Sequence, residues 1–164
     1  MKRHSTGIFA GMILGLLLAL SPSLLPAQFM SAPGVISAYS VPAGDLIQPS
    51  QLNDMLRLPQ HKSLLIFHVG SRMMFAQAHI PHSEYIGPGS QPMGIEALRK
   101  RASSVDKKQL IVLYCGCCPW DRCPNVGPAY QTLRGMGYNV KVLQIPSNFG
   151  ADWVAKGYPV ERDQ

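Results

Sequence analysis

Apolar residues along this 164-residue chain fall into short continuous runs separated by stretches with helical spacing. Continuous runs such as LIVLY are typical of strands that are buried on both faces. They predict strands at residues 63–69, 84–87, 109–115 and 139–145. Between the runs, apolar residues recur every three or four positions, which indicates amphipathic helices. These helices are predicted around Leu52, Met55 and Leu56 and at residues 94–104, 126–136 and 151–157.

Strands that alternate with helices at short intervals are typical of parallel sheets. The pattern therefore predicts an α/β domain whose central parallel sheet is flanked by helices on both faces. In such sheets, ligands bind beyond the carboxyl ends of the strands. The segment that follows the strand at 109–115 is the first place to look for a functional site.

The N-terminus does not follow this pattern. Residues 1–4 are basic, residues 8–20 are apolar and uncharged, and the small residue Ala27 precedes Gln28. This layout predicts a signal peptide at residues 1–27. The apolar run is shorter than the roughly 20 residues that a membrane span needs, so contact with a membrane is expected only if the signal stays uncleaved. We expect an exported protein, periplasmic or extracellular, with a linker at 28–45 and the domain at 46–164.

The charge is mildly basic and scattered. The chain carries 15 Lys and Arg against 9 Asp and Glu, for a formal net charge of +6. Nucleic-acid binding would require a basic stripe on one face, and the cations here cluster only around residues 99–101 and 107–108. No nucleic-acid partner is predicted.

All four cysteines of the chain lie in one segment, YCGCCPWDRC, which follows the most apolar strand. They are Cys115, Cys117, Cys118 and Cys123. Three interpretations compete: a nucleophile with helper thiols, a soft-metal site, or a local disulfide. Export permits disulfides, and four is an even number, so the compartment does not decide among them.

The position of Cys115 favours a reactive thiol. Backbone N–H groups of a loop that curls toward a helix N-terminus point at the sulfur, and the helix dipole adds partial positive charge. Both effects favour the thiolate and can lower a cysteine pKa from about 8.5 to roughly 3.5–7.5. Amides of residues 116–123 are the expected donors. Arg122 is the only charged donor in the loop and is therefore a further candidate catalytic residue.

The other interpretations use the same residues differently. Four thiolates can hold zinc or copper(I), and His68 and His79 can join them if they lie near the same sheet edge. Cys118 and Cys123 are the more reasonable disulfide pair, because vicinal cysteines rarely bridge each other. Cys117, Cys118 or Cys123 can also resolve or relay a group held on Cys115, as in a thiol redox site. No cofactor is predicted.

Four separated segments resemble a rhodanese-like domain: LLIFHVGSRMMFAQAHIPHSEYIG, QLIVLYCGCCPW, LRGMGYNVKVL and DWVAKGYPV. The resemblance covers about residues 46–160. The usual Asp-Val-Arg motif reads His68-Val69-Gly70, and Gly-His-Ile-Pro reads Ala78-His79-Ile80-Pro81. The active loop is longer than usual and contains three additional cysteines and a Pro-Trp pair.

The resemblance implies a sulfurtransferase in which Cys115 accepts sulfane sulfur as a persulfide. It also implies that loop amides stabilise the charged sulfur. His68 would take the place of the missing acid and is a candidate catalytic residue. The expected partners are a small sulfur-containing anion or a protein thiol. A soft-metal or redox module and a non-catalytic rhodanese-like domain are the alternatives.

Overall fold

The computed structural model describes residues 40–59 and 63–163. The predicted signal peptide at 1–27 and most of the predicted linker at 28–45 lie outside these residues. Where the description begins, Val41 packs in the core and Ala43–Asp45 form a 3₁₀ turn before the first strand. Within the described part of the chain, every helix is too short or too polar to cross a membrane.

The centre of the domain is a parallel sheet, as the sequence predicts, but it has five strands where the apolar runs predict four. The additional strand, Leu46–Ile47, has only two residues and is too short to show a periodic pattern. The strands are β1 Leu46–Ile47, β2 Leu65–His68, β3 Glu84–Tyr85, β4 Leu110–Tyr114 and β5 Asn139–Leu143. Their order across the sheet is β1-β5-β4-β2-β3. The apolar strand β4 lies at the centre, with a neighbour on each side. Because all strands are parallel, their carboxyl ends meet at one edge.

Helices cover both faces of the sheet, which confirms the predicted architecture. They are α1 Pro49–Arg57, α2 Arg72–Gln77, α3 Pro92–Ala102, α4 Val126–Gly135 and α5 Phe149–Asp152. Side chains of α3 and α4 pack with Ile111 and Leu113 on one face of β4. Those of α1 and α5 pack with Val112 and Tyr114 on the other face. This division follows from the two-residue period of a strand.

Two helices differ from the sequence prediction. Helix α2 is not predicted, because its six residues are too few to show a helical period; it begins where the Ser71 hydroxyl accepts a hydrogen bond from Met74 N over 3.4 Å. The last predicted helix, 151–157, is instead the short α5 followed by a 3₁₀ turn at Val154–Lys156. Trp153 lies between them with non-helical backbone angles. Its indole is fully buried and donates to Pro159 O over 2.8 Å.

Candidate active site

Cys115 is the first residue after β4 and packs on the same face as Ile111 and Leu113. It is only 3% exposed, so the residue lies beneath the loop rather than on its surface. Gly116 then turns the chain with a φ of 83°, in the left-handed region that favours glycine. A Cβ at this position would stand 2.7 Å from the Cβ of Phe149, so a larger residue would clash.

The four thiols form one cluster with Cys117 at its centre. The Cys117 sulfur lies 3.3 Å from that of Cys115, 3.0 Å from that of Cys118 and 3.7 Å from that of Cys123. Cys115 and Cys123 are buried, Cys118 is half-buried and Cys117 is exposed. All four are free thiols, so the predicted bridge between Cys118 and Cys123 is not formed. Cys123 instead points into the core, where its sulfur faces Cys117.

Several donors converge on the Cys115 sulfur. The Cys123 thiol acts as a hydrogen-bond donor and is the largest cause that lowers the pKa of Cys115, to about 6. The backbone N–H and thiol of Cys117 and the side-chain amide of Asn125 lower this pKa further, while burial opposes them. The Asn125 Nδ2 atom lies 3.4 Å from the sulfur. A group with a pKa near 6 is mostly ionised at neutral pH.

The neighbouring thiols shift the other way. Burial raises the pKa of Cys117 to about 12, and so do the hydrogen bonds that its thiol donates to Cys118 and Cys115 and the nearby charge of the Cys115 sulfur. The pKa of Cys123 is also raised, chiefly because its proton is held in the hydrogen bond to Cys115. When interacting thiols titrate together, the first proton is lost where the anion receives the most donors. The cluster therefore presents one thiolate, on Cys115, supported by protonated neighbours.

Asn125 is a site residue that the sequence analysis missed. Ser90 donates to its Oδ1 from both its backbone N, at 3.1 Å, and its hydroxyl, at 2.8 Å. These bonds identify the oxygen of the carboxamide and turn its NH₂ toward Cys115. Asn125 precedes α4, where the usual role of asparagine is to cap the helix, but its side chain makes no capping bond. In the sequence Asn125 stands between Pro124 and a predicted helix, and nothing there connects it with Ser90, which lies 35 residues earlier.

The amide cradle is smaller than predicted. Of the N–H groups expected at residues 116–123, that of Cys117 points at the Cys115 sulfur. Trp120 N donates to Ile145 O over 2.9 Å, and Cys123 N donates to Trp120 O over 3.3 Å. These bonds build the 3₁₀ turn Trp120–Arg122, which ties the loop to the end of β5. Side chains and thiols supply the remaining donors to the sulfur.

Arg122 is exposed at the end of this 3₁₀ turn. Across residues 40–59 and 63–163, its guanidinium makes no hydrogen bond or ion pair with another side chain. The donors that act on the Cys115 sulfur are uncharged and come from residues 117, 123 and 125. The structure thus assigns Arg122 no part in holding the sulfur.

His68 contacts the backbone of Cys115 instead of its sulfur. Its Nε2–H donates to Cys115 O over 2.9 Å, and its Nδ1 accepts from Gly70 N at 3.4 Å. Burial lowers the pKa of His68 to about 4, so the ring is neutral at physiological pH. This histidine fixes the peptide that carries the nucleophile. It acts on the sulfur only through the position of that peptide.

The missing side chain at Gly70 leaves room for the Cys115 sulfur and the His68 ring. A Cβ built on Gly70 would lie 2.8 Å from the Cys115 sulfur and 2.8 Å from Cε1 of His68. A side chain here cannot coexist with both groups in their present positions. The sulfur and the imidazole occupy the space that the larger residue would need.

A cleft of about 310 Å³ opens beside the cluster. Cys117 is the cysteine that lines this cleft, whereas the buried Cys115 is not among its lining residues. The other lining residues are Met74, Gln77, Ala78, Gly116, Asn148, Phe149, Gly150 and Val154. None of them is charged. A larger cleft of about 460 Å³, lined by Leu64 and Leu110, lies at the amino ends of β2 and β4, away from the thiols.

Solved structures share this arrangement of sheet and helices. The BH2092 protein of Bacillus halodurans matches with a TM-score of 0.56 and 19% identity, over 71% of this chain and 76% of its own. The rhodanese-like domain of the Alr3790 protein from Anabaena matches with a TM-score of 0.52 and 24% identity, over 72% of this chain and 79% of its own. The chain has the rhodanese-like fold.

A thiosulfate sulfurtransferase from Pseudomonas aeruginosa contains the same rhodanese-like fold. It matches with a TM-score of 0.53 and 22% identity, over 73% of this chain and 19% of the longer protein. At these identities, the likeness establishes the fold alone. No family model and no curated protein matches the chain.

His79 has a structural place in the rhodanese-like fold of this chain. It is buried, and its Nδ1–H donates to Phe75 O over 2.8 Å. Its ring stacks on that of Phe75 with centroids 3.9 Å apart. Among the described residues, the group spaced to hold a metal consists of Cys115, Cys117 and Cys123. Neither histidine nor Cys118 belongs to it.

Proposed function

We propose that this chain is an exported sulfurtransferase that carries sulfane sulfur as a persulfide on Cys115. One observation carries the proposal. Donors meet at a single sulfur at the carboxyl end of the central strand: the Asn125 Nδ2 lies 3.4 Å and the Cys117 sulfur 3.3 Å from the Cys115 sulfur, and hydrogen bonds from Cys123 and Cys117 lower its pKa to about 6. The same donors serve a thiolate before the reaction and a persulfide anion after it. Preorganised donors of this kind stabilise charge without reorganisation during the reaction.

In the first half-reaction, the Cys115 thiolate attacks the outer sulfur of a sulfane donor. With thiosulfate, a new sulfur–sulfur bond forms to Cys115, the bond between the two sulfurs of thiosulfate breaks, and sulfite leaves with the electron pair. The total charge is unchanged, and no oxidant or reductant is needed. His68 holds the carbonyl of the attacking residue and transfers no proton.

The second half-reaction passes through Cys117. Its sulfur is 3.3 Å from that of Cys115 and reaches the cleft, whereas Cys115 is 3% exposed. Cys117 attacks the outer sulfur of the Cys115 persulfide, the bond between that sulfur and Cys115 breaks, and the Cys117 thiol proton passes to the departing Cys115 sulfur, 3.3 Å away. The sulfane sulfur is then exposed on Cys117, where an external thiol can take it. Cys118 takes no part in this transfer.

The cleft favours a thiol as the acceptor. Its lining is uncharged and contains the apolar side chains of Met74, Phe149 and Val154. A wall of this kind can bury the apolar surface around a protein cysteine. The donor is a sulfane compound, such as thiosulfate or a persulfide. The location outside the cytoplasm rests on the sequence of residues 1–27.

The proposal is tested by loading the purified protein with thiosulfate under anaerobic conditions. The expected result is a mass increase of about 32 Da, the mass of one sulfur atom. It should map to Cys115 and disappear on treatment with a thiol acceptor. Cys115→Ser should abolish both loading and turnover. Cys117→Ser should still load sulfur but deliver it to the acceptor more slowly.

Cys118→Ser is the matched control for loss of a thiol from the loop, and it should retain both steps. The proposal fails if the Cys115→Ser variant loads sulfur as readily as the wild type. It also fails if folded, reduced wild-type protein takes no sulfur from thiosulfate or from a small persulfide.

A further inference from the structure

Three sulfurs in the loop are spaced like the ligands of one metal ion. The Sγ atoms of Cys115, Cys117 and Cys123 lie within 4.8 Å of one another. The Cys117 sulfur is 3.3 Å from the Cys115 sulfur and 3.7 Å from the Cys123 sulfur. Metal–sulfur bonds of about 2.3 Å set thiolates roughly 3.8 Å apart around a tetrahedral ion and roughly 4.0 Å apart around a trigonal one. Small side-chain rotations therefore complete a ligand triangle.

We propose that Cys115, Cys117 and Cys123 bind one copper(I) ion as three thiolates. The ligand set consists of sulfur alone, and soft thiolates favour soft ions. Copper(I) is satisfied by three thiolates, whereas zinc in closed protein sites takes four ligands. A fourth ligand is not in place. Among the described residues, His68 Nε2 is occupied by Cys115 O, and the Cys118 sulfur is not one of those that all lie within 4.8 Å of one another.

The surroundings suit a thiolate complex. The Asn125 carboxamide and the Cys117 N–H already point at the Cys115 sulfur and would offset the negative charge of three thiolates. Outer-shell donors of this kind orient metal ligands and tune their affinity. Backbone bonds from Trp120 N to Ile145 O and from Cys123 N to Trp120 O hold the loop in its present shape. Much of the site is thus assembled before an ion arrives.

The ion has a route to the site from one side. Cys115 and Cys123 are 3% and 5% exposed, while Cys117 is exposed and lines the cleft. The Met74 side chain lines the same cleft, so a thioether is available near the entrance. No residue in the lining is acidic, so a hard cation gains nothing there. Cys117 is therefore the ligand that first meets copper(I) delivered by an external thiol.

This site goes beyond sulfur transfer and excludes it while occupied. The Cys115 sulfur cannot carry a persulfide and ligate copper in the same complex. Bound copper(I) is thus expected to block sulfur loading, and a Cys115 persulfide is expected to weaken copper binding. The two activities would alternate on one sulfur.

The test is an anaerobic titration of the reduced, purified protein with copper(I), in competition with the chromophoric chelator bicinchoninate. We expect one copper(I) per chain, a thiolate-to-copper charge-transfer band in the ultraviolet, and three sulfur neighbours by X-ray absorption. Each of Cys115→Ser, Cys117→Ser and Cys123→Ser should weaken binding by more than the roughly 100-fold that loss of an outer-shell partner costs. Cys118→Ser should leave the affinity unchanged.

The inference is overturned if the protein does not compete with bicinchoninate, or if Cys118→Ser weakens binding as much as the other substitutions do. If buried Cys123→Ser does not fold, as judged by circular dichroism, the exposed Cys117→Ser decides the question. Sulfur loading of the metal-free protein keeps the two proposals separate. Loading without copper binding removes only this inference, and copper binding without loading removes only the sulfurtransferase.

Discussion

The Asn125 carboxamide donates to the Cys115 sulfur over 3.4 Å, and two hydrogen bonds from Ser90 hold the amide in that orientation. The relationship joins the loop between β3 and α3 to the end of the central strand. It places an uncharged, fixed donor on the candidate nucleophile. The first prediction concerns what happens when this donor is replaced.

Asn125→Asp should raise the pKa of Cys115. The substitution replaces an NH₂ donor with a carboxylate, and a nearby negative charge disfavours the thiolate. We expect an upward shift of roughly one unit, measured as the midpoint of thiolate absorbance at 240 nm. Ser90→Ala removes the hydroxyl bond to the carboxamide, keeps the bond from the backbone N and adds no charge, so it should cause a smaller shift in the same direction. An unchanged midpoint in Asn125→Asp would show that the amide does not act on the sulfur.

The wild-type protein should show one thiolate step with a midpoint near pH 6, because donors lower the pKa of Cys115 to about 6 while that of Cys117 is raised to about 12. The absorbance change at 240 nm between pH 4.5 and 8 should correspond to one thiolate per chain. Cys115→Ser should remove this step, and Cys118→Ser should retain it. Two steps of equal size below pH 8 would contradict a single supported thiolate.

His68 should make the domain less stable as the solution is acidified. Burial lowers its pKa to about 4, whereas the unfolded chain has the ordinary value of 6.5, so the unfolded state binds more protons between these values. The contribution of neutral His68 to the free energy of unfolding is therefore complete above pH 6.5 and is lost as the pH falls toward 4. Between pH 7 and pH 5 this histidine alone should cost about 2 kcal/mol.

Urea unfolding at the two pH values measures this effect. His68→Gln keeps a side-chain N–H for Cys115 O but does not titrate in this range, so its free energy of unfolding should depend less on pH. The variant starts from a lower stability at pH 7. An identical pH dependence in both proteins would assign the acid sensitivity to other groups.

Gly70→Ala should destabilise the domain and disturb the site together. The new methyl group would lie 2.8 Å from both the Cys115 sulfur and the His68 ring, and both residues are buried. Overpacking of this kind costs about 1–3 kcal/mol. Gly135→Ala is a matched control, because nothing lies within 4 Å of a Cβ there and alanine favours the helix. It should stabilise by about 0.5–1 kcal/mol. Equal effects at the two glycines would contradict the close packing at Gly70.

The fold was predictable because β4 and β5 are apolar runs in a regular alternation with helices. Periodicity reveals which face of an element is buried, and the position of Cys115 at a strand end follows from it. Helix α2 escaped prediction because six residues hold less than two turns. Its start depends on a single serine hydroxyl, which no periodic pattern reveals.

The chemistry of the site was only partly predictable. Four cysteines in nine residues mark the loop. Their spacing does not reveal that the Cys117 sulfur lies within contact of the Cys115 and Cys123 sulfurs in space. Asn125 acts through an orientation that Ser90 imposes from 35 residues away. Arg122 was an expected donor because of its charge, whereas the donors that reach the sulfur are neutral. Such choices depend on the path of the backbone, which composition does not encode.

The hydrogen bond from Phe149 N to Gly116 O, 3.0 Å long, has a mechanical consequence. Gly116 is the single residue between Cys115 and Cys117, and Phe149 forms part of the wall of the cleft. The same hydrogen bond therefore fastens the peptide that sets the gap between the two sulfurs to the backbone of a residue that lines the cleft.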